Sequence, residues 1–134
     1  MSIRTFDDLL QQSQLQDQPQ RLLLVFANAE LPDDATIAQR ANFLKGEGGA
    51  LVPHMCVDKL PQDVTSFTHL MQESTEHAPD WRMVFVAAMS GSRGMAPTSE
   101  AAGPHLQRMV EMIRAGTLAS LLPFNRQGMA VQLG

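Results

Sequence analysis

The chain has one cysteine, one tryptophan and no tyrosine in 134 residues. Cys56 alone makes neither an internal disulfide nor a multi-cysteine zinc site, so the fold must be held by packing. A basic excess is also missing, since ten Lys and Arg against fourteen Asp and Glu leave a formal charge of −4. Beyond Arg4, the cations Arg21, Arg40, Lys45, Lys59, Arg82, Arg93, Arg108, Arg114 and Arg126 are scattered, and the six phenylalanines have no base-stacking spacing. Nucleic acid is therefore not an expected partner. The longest apolar runs, Leu22–Ala27 and Met83–Met89, fall far short of the ~20 residues that cross a bilayer. Asp7 and Asp8 stand where a secretory leader would be apolar. No membrane partner is expected, and a reducing cytoplasm fits all of these absences.

What is present is ordinary globular material, 44% apolar and 18% charged. A chain of this length can bury roughly two-thirds of its unfolded surface as one domain, here taken as residues 1–134. Thr5 with Asp8 forms a capping pattern ahead of Phe6, Leu9, Leu10 and Ser13, which predicts a helix to about Leu15. Arg21–Ala27 is a continuous apolar run, the pattern of a strand covered on both faces. Thr36 with Gln39 opens a second helix from Ile37 to about Lys45, stopped by Gly46. Ala50–Val57 is a second strand, with Pro53 requiring an edge position or a bulge. Pro61 is placed as the first residue of a helix to about Ser74, with Val64, Phe67, Leu70 and Met71 on one face. Trp81–Met89 is the third strand, expected to be flanked on both sides. Pro104 is placed as the opening of a last helix that Gly116 closes. Leu122, Phe124, Met129, Val131 and Leu133 then suggest a terminal hairpin. Strands alternating with helices imply an α/β fold, with a mostly parallel sheet of three core strands flanked by helices and a C-terminal β-hairpin.

In such a sheet, ligands sit outside the carboxyl ends of the strands. That rule selects Asn28 and Glu30, then Asp58 and Lys59, then Ser90, Ser92 and Arg93. Backbone amides around Gly91 and Gly94, with Arg93 facing Lys59, would suit a phosphate or carboxylate. No Walker loop and no dinucleotide glycine motif accompanies them, and no cofactor is expected. In an extended strand His54, Cys56 and Asp58 share a face, which matches a thiol nucleophile, base and orienter only in residue type. Same-face Cα atoms lie ~6.6 Å apart, so a packed, slowly reacting Cys56 is expected. His69, Glu73 and His77 share a helix face without the spacing of a zinc motif, and no metal site is assigned. Glu30, Asp33 and Asp34 resemble a hard-cation set in composition, although turn and cap roles account for the two aspartates. Nine methionines fill a core or line an association surface.

The segments Arg21–Phe26, Glu30–Thr36, Gly48–Pro53 and Leu106–Val110 resemble a family of short proteobacterial proteins of unknown function, over nearly the whole chain. Its members often carry the label "ribonucleotide reductase subunit alpha". That label names a much larger subunit using several cysteines, chemistry that one cysteine cannot supply. The resemblance implies a bacterial, cytoplasmic setting and no mechanism. The expected function is a non-enzymatic interaction or self-association domain, with a homo-oligomer or a protein as partner. The alternative is a protein or enzyme that binds a small anion at the strand ends.

Overall fold

Six consecutive buried residues, Leu22–Ala27, place one strand at the centre of the computed structural model, which describes residues 3–31, 33–44 and 50–131. The elements follow as α1 (Phe6–Gln14), β1 (Gln20–Glu30), α2 (Ile37–Leu44), β2 (Ala50–Lys59), α3 (Phe67–His77), β3 (Met83–Ser90), α4 (Ser99–Ala115) and β4 (Leu122–Asn125). The four strands lie in the order β2-β1-β3-β4, and every neighbouring pair is antiparallel.

This corrects the expected parallel sheet of three core strands. An apolar run reports that both faces of a strand are covered and says nothing of its direction. A helix between two strands can return the chain either way. Here β2 and β3 do run parallel to each other, but β1 lies between them, antiparallel to both. The tail does turn back on itself, the Asn125 amide donating to the Met129 carbonyl and the Val131 amide to the Pro123 carbonyl, but only its first arm is a full strand. β4 pairs with β3, and the chain then turns back to single bridges of Phe124 with Ala130 and Thr5 with Met129.

Local signals explain where the elements begin. Thr5 and Asp8 form a reciprocal capping box on α1, and Thr36 and Gln39 exchange the same two bonds at α2. The two prolines read as helix starts behave otherwise. Pro61 opens only a short 3-10 turn, and α3 begins after Ser66, whose hydroxyl accepts from the His69 amide. Pro104 lies inside α4, which starts five residues earlier at Ser99, behind its cap Thr98. Pro53 sits on edge strand β2 beside a register shift opposite Phe26 and Ala27, so both allowances made for it are realised.

Alternation along β1 builds two cores. Leu22, Leu24 and Phe26 point to α1 and α3, where Phe6, Phe67, Trp81 and Phe124 close an aromatic cluster with ring centroids 5.1–6.4 Å apart. Leu23, Val25 and Ala27 point to α4, where Leu106, Met109 and Ile113 cover them. The first face has two helices over it. Among the described residues the second has only α4, which packs on β2 and β1 and leaves much of β3 beside it. Beyond Ala27 the β1–β2 pair continues without β3 as a two-stranded ribbon carrying α2, none of whose residues is buried.

Candidate functional site

The seven residues selected from the sequence do not converge. Antiparallel strands send their carboxyl ends in opposite directions, so Asn28 lies eight positions along β1 from Gln20, the partner of Ser90, roughly 27 Å away. Asp58 and Lys59 are at the same end as Ser90 but on opposite faces. Asp58 accepts from Arg21 at 2.6 Å and from the Ser99 hydroxyl at 2.9 Å, while Arg21 also donates to the Pro97 carbonyl at 2.6 Å. That half-buried set ties the start of α4 to the sheet. Lys59 donates instead to Glu73 on α3 at 2.6 Å, holding the Glu73 carboxyl below its ordinary value.

The glycine loop has its own internal use. Ser92 and Met95 exchange both backbone hydrogen bonds around Arg93 (φ 54°) and Gly94 (φ 76°), the geometry of a two-residue turn with both central residues left-handed. The Gly91 amide donates to the Pro19 carbonyl and the Gly94 amide to the Gln18 side chain. Four amides expected to cradle an anion are thus already engaged. A Cβ on Gly91 would collide with the Met95 carbonyl, which is why glycine stands there.

Cys56 is exposed on β2. The packed thiol expected from the sequence is corrected, because β2 is an edge strand and its middle is left open to solvent there. His54 falls at the register shift and reaches Glu30 at 3.5 Å. The residues of the proposed thiol set thus have other partners: His54 turns to Glu30, and Asp58 to Arg21 and Ser99. On α3, Glu73 belongs to Lys59, and among the described residues no three His, Cys, Asp or Glu gather as a metal site. Asp33 contributes its carbonyl to Arg40 at 3.0 Å.

The feature that does gather chemistry lies where α4 leaves β3 uncovered. A groove of about 440 Å³ has Leu23, Ala87 and Met89 as its floor, α4 as one wall, and Ser120 and Leu121 closing one end. Residues 105, 108, 109 and 112 recur at i, i+3, i+4 and i+7, so His105, Arg108 and Met112 stand on the groove side of α4 with buried Met109 below them. Neither His105 nor Arg108 has a hydrogen-bond or ion-pair partner among the described residues.

The groove also reaches a strand edge, because Ala88 and Ser90 line it beside the opposite-facing Ala87 and Met89. The Gly91 amide, just past β3, crosses to Pro19, just before β1, which puts the backbone groups of odd-numbered β3 residues on the β1 side and of even-numbered ones on the other. Val84 and Val86 meet β4 there. Ala88 and Ser90 lie past the last β4 partner, Leu122 opposite Val86, and their N–H and C=O groups have no partner among the described residues. Of this site the sequence reading holds Ser90 as a ligand candidate, and Met109 and Met112 as methionines of a core or an association surface. His105 and Arg108 are legible as neighbours on one face of a methionine-bearing helix, but only the uncovered strand gives that face a meaning. No family model matches the chain, and neither the curated proteins nor the solved structures yield a match.

Proposed function

We propose that this chain is a non-enzymatic interaction domain of the bacterial cytoplasm that binds an extended segment of a partner protein along the open half of β3. The observation that carries this reading is the contrast between the two open edges of the sheet. Folded proteins guard such edges with proline, bulges and charge. β2 has all three in Pro53, the register shift beside it, and the ion-paired Asp58 and Lys59. The Ala87–Ser90 segment has none, and it borders a groove of a size that accepts several side chains. The buried polar side chains Gln20 and Ser74 are spent on structure, hydrogen-bonded to Ser90 and to Trp81, which fits binding better than catalysis.

The test is to pan displayed random 12-residue peptides on the full chain and on Ala88→Pro. Proline at 88 removes one outward amide that has no partner among the described residues. Peptides enriched on the native chain should lose binding to Ala88→Pro. Enriched peptides indifferent to the substitution would sink the strand-addition reading. A thermal shift with inorganic phosphate or acetate alone, lost on Arg108→Gln, would favour the small-anion alternative instead.

A further inference from the structure

Building on strand addition at β3, we propose that the captured segment carries an acidic side chain that enters the groove between His105 and Arg108, with an apolar side chain two positions away against Met112 and Leu121. Four features support this chemistry. First, among the described residues the only formal charge lining the groove is the Arg108 guanidinium, with the His105 imidazole one helical turn away, and none of them is acidic. Second, both groups lack a partner among the described residues. An apolar segment laid over an unpaired guanidinium would strip its water without replacement, which is costly, whereas a carboxylate restores a charge-assisted bond.

Third, the spacing fits. Residues 105 to 112 advance ~10.5 Å along the helix axis, about three residues of extended chain at ~3.3 Å each. A strand paired with Ala88 and Ser90 sends every second side chain to the α4 face, ~6.6 Å apart. One such side chain meets the cationic end of the wall, and the next meets the methionine end. Fourth, the layer is right for a side chain. His105 and Arg108 belong to the helix that stands over the sheet, whereas a terminal carboxylate of an added strand stays in the plane of the sheet, at the level of Ala88 and Ser90.

The experiment takes the 12-residue peptides enriched on the full chain and measures synthetic copies by fluorescence anisotropy, with the peptide's acidic residue present or replaced by its amide. The acidic form should bind at least ~10-fold more tightly, the size expected for a charged pair at a partly desolvated site. That preference should disappear on Arg108→Gln, persist on Arg108→Lys, and weaken with added salt. Ala88→Pro should abolish binding of both forms. Enriched peptides without acidic residues, or equal binding of the two forms, overturn the acidic recognition and leave strand addition standing. Enriched peptides unaffected by Ala88→Pro, or no enrichment at all, overturn strand addition and this proposal with it.

Discussion

The two faces of the sheet are finished differently. The face toward α1 and α3 is sealed by Phe6, Phe26, Phe67, Trp81 and Phe124, all at most 7% exposed. The face toward α4 is covered by one helix, and much of what surrounds its exposed part is methionine: Met89 and Met112 half-buried, Met109 below. Rigid, interlocking rings suit a permanent interior, and unbranched thioethers suit a surface that repacks around what it meets. Stability therefore concentrates on the first face and binding on the second.

Substitutions should separate the two. Trp81→Ala removes the ring packed on Phe26 and the indole N–H bond to Ser74 at 2.9 Å. It should cost about 3–5 kcal/mol in urea unfolding. Arg126→Ala, on the same side, loses a 2.6 Å bond to the Trp81 carbonyl and a guanidinium placed 4.5 Å over its ring, and should cost about 1.5–3 kcal/mol. On the other face, Arg108→Gln should leave unfolding within about 0.5 kcal/mol of the native chain, because that side chain has no hydrogen-bond or ion-pair partner among the described residues. A loss near that of Arg126→Ala would erase the distinction between faces.

Smaller effects sharpen the picture. Arg93→Asn should stabilise by up to about 1 kcal/mol, since asparagine tolerates the left-handed backbone that Arg93 is made to adopt. A clear loss of stability would return Arg93 to a role beyond its turn. Glu73→Gln tests the Lys59 pair by pH. The folded-state pKa of Glu73 is lowered, mainly by the hydrogen bond from Lys59. Its contribution is therefore complete above the ordinary carboxylate range and lost as pH falls through the folded value. The native chain should lose slightly more stability than Glu73→Gln on acidification, by well under ~1 kcal/mol for a pair this open to solvent.

Much of this fold is legible in the sequence because local signals dominate where elements start. Thr5 with Asp8 and Thr36 with Gln39 identify caps from spacing alone, and Pro53 announces an edge. Strand direction is a different matter, since β1 enters between β2 and β3 without any residue of its own declaring it. The site depends on that same missing information. With parallel strands, Asn28, Asp58 and Ser90 would share one rim; with antiparallel strands, the useful rim is the stretch of β3 that β4 is too short to cover. His105 and Arg108 are ordinary helix-surface residues until α4 is placed over β1 and β2.

The most direct test is amide hydrogen exchange along β3 in the free protein. Ala87 and Met89 bond toward β1, whereas Ala88 and Ser90 face the open edge. Exchange should alternate, with slow amides at 87 and 89 and amides at 88 and 90 near the unprotected rate. Slow exchange at Ala88 and Ser90 without any added peptide would mean that the edge is already covered, and would contradict an open docking strand.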